Sequence, residues 1–303
     1  MSDSLRFGKG LSKKDREEIL RIRNVKKNAG ETYSDVVMNK LDALTKRSRE
    51  VELSNYDMAP YFHRLQMYFS DRAVIDRFMY DDPKKFLAAM SMSSRFGYLK
   101  ALTSDTYYST YDCSHVFDIL RAFASRDIKC VRAFLSTFPP PFTEGHKSTL
   151  LLCNGLYSAL AEKGSISDEE IKNELKSRKE SKFFRAMFDC LLAILNNESE
   201  EAENAIKEMV KGNRRQDFHS QMEKIICVEA HAFYEIFEEV NTWPLAVKSL
   251  NSKLPWDSSL FELLNDVKKD EEMFIKLEKV NDVLNKWIME LPKKVNVKEL
   301  ISA

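Results

Sequence analysis

Eight glycines and eight prolines punctuate a chain of 303 residues. Together they make up about 5% of it, against an average near 12%. A sheet-rich fold needs a turn every few residues, and turns draw on these two residue types. Their scarcity pushes the chain toward helices joined by few corners. It also removes the glycine-rich loops that cradle phosphate. With 44% hydrophobic residues there is material for one large core or two modest ones. The expected fold class is all-α: antiparallel helical hairpins packed in series, in a tetratricopeptide-like or helical-bundle architecture.

Local signals mark where helices begin. Ser12 and Asp15, and then Thr32 and Asp35, have the spacing of capping boxes. Asp82-Pro83 pairs an N-cap residue with proline at the first helical position, so helices are expected over about 60–80 and from 83 to about 102. Further helices are expected at 147–163, from Ser167, from about 217 to 240, and from about 271 to 291. The run Phe138-Pro139-Pro140-Pro141-Phe142 cannot continue a helix and reads as a rigid corner, with a polyproline ligand as the alternative.

Residues 103–112 are polar and tyrosine-rich, and break the helical pattern. They suggest a joint between an N-terminal helical subdomain, 1–104, and a C-terminal helical-hairpin subdomain, 113–303, packed as one continuous globular unit. Within the second, Phe117-Asp118-Ile119-Leu120-Arg121-Ala122 matches Phe188-Asp189-Cys190-Leu191-Leu192-Ala193 at an offset of 71. The same offset places Asp127 on Glu198. Both copies read as an apolar helix, a polar turn and an amphipathic helix, and two hairpin units of about 35 residues would give that spacing.

Chemical motifs are missing. The sequence contains no H-E-x-x-H, G-x-S-x-G, Walker A or G-x-G-x-x-G pattern. Cys113, Cys130, Cys153, Cys190 and Cys227 form no C-x-x-C pair and mostly sit in apolar runs, so they read as buried thiols of a reducing compartment. His231 and Glu235 share a helix face and could supply two metal ligands. Without a matching pair on a second helix, a hydrogen-bonded surface pair is the plainer reading. At Asp112-Cys113-Ser114-His115, either Asp112 or Ser114 is better explained as a helix cap. No catalytic residue, metal or cofactor is expected. The N-terminus lacks a secretory h-region, and the longest apolar stretches, such as 191–195, are too short to span a bilayer. A cytoplasmic protein is expected.

Lys plus Arg and Asp plus Glu both number 47, so net charge is zero and nucleic acid is not an expected partner. The charge is uneven. Residues 1–50 hold 13 basic and 8 acidic side chains; residues 198–240 hold 11 acidic and 5 basic. Solvated helix faces explain both, and a binding patch is the sharper alternative.

The stretch from Phe183 to Pro255 carries a helix with a small-residue and leucine core, a polar turn at Asn196-Asn197, and an acidic start at Glu198-Ser199-Glu200-Glu201. A longer helical run around Cys227 to Tyr234 follows, and then Leu254-Pro255. This succession resembles the all-helical Imm49-type immunity proteins of bacterial polymorphic toxin systems. The resemblance covers about a quarter of the chain. It implies a non-enzymatic protein that binds and neutralises a cognate toxin, often a nuclease. Such toxins are basic because they hold phosphate, and an inhibitor profits from acidic side chains that steer association. The candidate partner-binding residues are therefore Glu198, Glu200, Glu201 and Glu203, and Glu235, Glu238 and Glu239. The tyrosines Tyr107, Tyr108 and Tyr111 join them, as does Trp256 as an aromatic anchor. A helical-repeat scaffold for another protein or peptide, or a helical enzyme with dispersed site residues, would share most of these features.

Overall fold

The computed structural model describes residues 11–25, 32–104, 113–161, 168–177, 180–216, 221–241, 255–260, 263, 274–275, 277–278 and 280–302. Among them are thirteen α-helices and no strand, so the all-α expectation holds. None of these helices is long and apolar enough to cross a membrane.

The capping signals act as the sequence implies. Before α1 (Lys13–Val25), the Ser12 N–H donates to Asp15 Oδ2 at 3.0 Å and the Asp15 N–H to Ser12 Oγ at 3.1 Å. Thr32 and Asp35 close the same box before α2 (Tyr33–Ser48). Asp82 accepts the Lys85 N–H and separates α3 (Ala59–Met79) from α4 (Pro83–Thr103). These two antiparallel helices form the central pillar. Both are buried over most of their length, the mark of a helix surrounded by others, and they carry polar residues such as Gln66, Asp76 and Arg95 into the interior.

The offset of 71 is written into the backbone. The helix α5 (His115–Ala124) turns into α6 (Ile128–Thr137), and α9 (Lys182–Asn196) turns into α10 (Ser199–Gly212). At the first corner Arg126 is left-handed, with φ 54°; at the second Asn197 is, with φ 57°. The Asp127 N–H reaches Ala122 O at 2.8 Å, and the Glu198 N–H reaches Ala193 O at 2.8 Å. Arg126 bonds back to Phe123 and Asn197 to Ile194 in the same way. Both corners are Schellman motifs, and both are followed by an acidic residue at the next N-cap position. Between the copies lie α7 (Lys147–Ala161) and α8 (Asp168–Ser177), and α11 (Val228–Asn241) packs beside α5 and α9.

Packing crosses the region of the expected joint. Arg95 on α4 forms a forked pair with Asp127 at 2.6 and 3.0 Å and donates to Ile288 O at 2.9 Å. The Tyr98 hydroxyl donates to Pro292 O at 2.9 Å. These bonds hold α12 (Asp282–Glu290) against α4. The chain then returns to its start: Val297, opening α13 (Val297–Ser302), donates its N–H to Asn55 Oδ1 at 2.8 Å. Residues 105–112, with Tyr107, Tyr108 and Tyr111, lie outside the described residues.

Two expected helices are shorter than their periodicity implies. In place of one helix from 217, a 3-10 turn (Gln221–Lys224) precedes α11, which starts at Val228. The Glu223 and Lys224 carbonyls accept from Asn213 Nδ2, and the Cys227 N–H goes to Pro255 O at 2.8 Å instead of back along a helix. Near the C-terminus Asn281 Oδ1 accepts the Val283 and Leu284 N–H groups, which starts α12 there.

The proline run makes a corner with Phe138 and Phe142 buried on either side of it. Asn154 pairs with both the N–H and the C=O of Phe142, as a neighbouring strand would.

Candidate functional site

The helices α5, α9 and α11 run in the same direction. Arg126, just past α5, pairs with Glu235 at 2.6 Å and lies 3.9 Å from Glu238, both late in α11. Asn241, ending α11, donates to Ile194 O, late in α9. The C-terminal ends of the three helices therefore meet at one end of the molecule, where α6 and α10 begin and carry acidic residues at their N-caps.

The two acidic clusters of the sequence come together at that end. Glu198, Glu200, Glu201 and Glu239 are solvent-exposed. Glu203 is partly covered and pairs with Lys207 at 3.3 Å. Glu235 is buried on Arg126 and Glu238 is half-buried beside it, so these two are structural charges. Trp256 is 2% exposed and stacks on the His231 ring, with centroids 4.5 Å apart. It is a core residue here, not a surface anchor, because residues 255–257 lie against the start of α11, with the Cys227 N–H on Pro255 O and the Asp257 N–H on His231 Nε2.

His231 and Glu235 do not form the expected surface pair; both are buried. His231 Nδ1 faces Cys227 O at 2.7 Å, while Nε2 accepts the Asp257 N–H at 3.3 Å, which assigns the proton to Nδ1. His115 is also internal, ringed by Phe134, Phe138, Phe142 and Tyr157, and burial pushes its pKa down to about 4. Ser114 precedes it at the N-cap position without a side-chain capping bond. All five cysteines are buried and none is in a disulfide, and burial pushes the Cys130, Cys190 and Cys227 thiols up.

At the opposite, N-terminal ends of α5, α9 and α11 lies a feature that motif searching misses, a cleft of about 450 Å³. Asp118 is its hub. Its carboxylate accepts from Gln66 Nε2, from Lys100 Nζ at 3.3 Å and from Arg121 Nη1 at 2.9 Å. Arg121 also donates to Glu223 Oε1 at 3.0 Å. Glu229 lines the same space, and Phe117, Phe183 and Phe184 form its apolar wall. Desolvation, with some repulsion from Glu223, pushes the Glu229 carboxyl up to about 7. One sequence signal was available: the repeat conserves the acid as Asp118 and Asp189 but replaces Arg121 with Leu192, so only the first copy builds a charged cluster. Among the described residues no group of three His, Cys, Asp or Glu side chains is placed to hold a metal ion.

The Glu229 site sets a pH dependence. In the unfolded chain this carboxyl ionises near 4.5; folded, it does so near 7. The folded state therefore binds the proton more tightly, and this contribution is complete below about pH 4.5 and lost as pH rises through 7. Glu229→Gln cannot ionise. Its stability relative to the parent is expected to rise between pH 4.5 and 8 by on the order of 1–3 kcal/mol. Urea unfolding of both proteins at the two pH values measures this, and a difference that does not change with pH contradicts it.

The chain matches no family model, no curated protein and no solved structure.

Proposed function

We propose that this protein is a non-catalytic, immunity-type binding protein that sequesters a basic partner, a cognate toxin, through its acidic end. The observation that carries the reading is the convergence of Glu198, Glu200, Glu201 and Glu239 at the C-terminal ends of three parallel helices. Glu198, Glu200 and Glu201 make no ion pair with any described residue, so their field is directed to solvent. Such a field accelerates encounter with a positive surface, and the gain is screened over about 10 Å at 0.1 M salt. A scaffold for another basic protein would use the same surface; the identity of the co-purified partner separates the two.

The test is association kinetics. The partner is captured from the native cell and identified by mass spectrometry. The triple variant Glu198→Lys, Glu200→Lys, Glu201→Lys is then compared with the parent at two salt concentrations. Association at low salt is expected to slow about tenfold or more, with a smaller change at high salt. Folding stability should fall only modestly, since exposed charges in the first turn of a helix contribute roughly 0.3–1 kcal/mol each. An unchanged low-salt rate means that this end is only a solvated face.

A further inference from the structure

The cleft at the other end of the parallel helices has an unbalanced charge inventory. Two permanent cations line it, Lys100 and Arg121, and both are engaged by Asp118, with Arg121 also holding Glu223; His63 lines it too, with Nδ1 3.3 Å from Gln66 Oε1. Three carboxylates line it. Asp118 is saturated by three donors and Glu223 is paired. Glu229 lies within the field of Arg121 but makes no ion pair with any described residue. Once Glu229 is ionised, as at pH 8, one negative charge is left over, at the edge of an aromatic wall in which Phe117 and Phe184 meet edge-to-face at 6.4 Å between centroids.

That arrangement selects by charge and shape. An anion gains little, because both cations already have partners, and it meets Glu229. A neutral apolar molecule leaves the extra carboxylate desolvated and uncompensated, which is costly. A cation on an aliphatic stem satisfies both surfaces: its charge sits on Glu229 and its methylenes lie along the phenylalanine rings, whose faces also attract cations. The space, about 450 Å³, accommodates a chain the size of a lysine or arginine side chain. We propose that this cleft is a binding site for an organic cation, an alkylammonium or guanidinium group on an aliphatic stem, with Glu229 as its counter-ion. The site is at the opposite end of the bundle from the acidic surface, so the two readings stand or fall separately.

The same chemistry has two sources, a free amine or a basic side chain of another protein, and two probes distinguish them. Cadaverine and N-acetyl-arginine methylamide are titrated calorimetrically into the 303-residue protein at pH 8, where Glu229 is ionised; 1-pentanol serves as the uncharged comparison. Expected is one-to-one binding of at least one cation in the millimolar range or tighter, and binding weakened about tenfold or more by Glu229→Gln, the size of effect a charge-assisted contact provides. Asp189→Asn, which removes the equivalent acid of the second repeat outside the cleft, should leave the affinity unchanged. Preference for cadaverine assigns a small amine; preference for the capped arginine assigns a protein side chain. The proposal is overturned if neither cation binds, if pentanol binds as tightly as cadaverine, or if Glu229→Gln binds like the parent while retaining its helical spectrum.

Discussion

Replacing Asp127 with alanine is expected to destabilise this protein by about 3–5 kcal/mol, among the largest effects of any single side chain. Asp127 does three things. It pairs with Arg95 through both carboxylate oxygens, it accepts the Ser91 hydroxyl at 2.5 Å, and it caps α6 through the Cys130 N–H at 3.1 Å. Arg95 is 1% exposed, so it cannot turn to water when its partner is lost. Its bond to Ile288 O and its place over the Phe274 ring, 5.1 Å from the centroid, do not replace a forked carboxylate. Most of the cost is the loss of this forked pair in a buried setting; the lost cap contributes about 1 kcal/mol. Asp127→Asn keeps an oxygen for the cap and is expected to fall between parent and alanine variant. Converting Arg95 to methionine in the Asp127→Ala background should recover much of the loss, because a buried pair replaced on both sides by apolar groups is often close to neutral. Urea midpoints for the three variants measure the ordering. A loss below about 1 kcal/mol for Asp127→Ala, or a double variant no better than the single, would show that Arg95 finds other compensation.

The parts of this fold that are legible in the sequence are those decided within a few residues. Ser12 with Asp15, Thr32 with Asp35, and Asp82 with Pro83 are each settled inside one helical turn, and each marks a real helix start. The 71-residue repeat is legible because 117–122 and 188–193 carry the same apolar spacing within one helix each, and both helices end in the same Schellman geometry. What could not be read depends on partners far along the chain. The start of α11 is set by Asn213 and Pro255 acting on residues 223, 224 and 227. Glu235 resembles its acidic neighbours in sequence, yet it is buried because Arg126, from another helix pair, reaches it. Trp256 reads as an aromatic anchor in the sequence, and the fold places it over His231. The cleft follows the same rule. Asp118 reads as one acid in an apolar run until α3 and α4 bring Gln66 and Lys100 to it.

Gly97 is expected to resist even alanine, although helix propensity alone predicts the opposite. A glycine in a helix interior costs about 1 kcal/mol relative to alanine, so the bare sequence marks position 97, in the middle of α4, as an easy gain. The crossing with α5 reverses this. A Cβ at 97 would lie 2.4 Å from Asp118 Cγ and 2.7–2.8 Å from both its oxygens. The carboxylate cannot step aside without breaking its bonds to Gln66, Lys100 and Arg121, so either α4 and α5 separate or the charge cluster opens. Overpacking of this kind typically costs 1–3 kcal/mol, and disturbing a buried ionic cluster adds to it. Gly97→Ala is therefore expected to lose about 2–3 kcal/mol net. Gly212, at the end of α10, provides the comparison. There the atoms nearest an added Cβ all belong to Phe183, its Cβ at 3.3 Å and its Cα at 3.5 Å, and the propensity gain should bring Gly212→Ala close to neutral. Thermal unfolding of the two variants reads the contrast directly. If Gly97→Ala melts with or above the parent, the α4–α5 crossing yields easily and Asp118 is not rigidly held. If it melts well below while Gly212→Ala does not, the glycine is there to let the hub of the cleft sit against the backbone of α4.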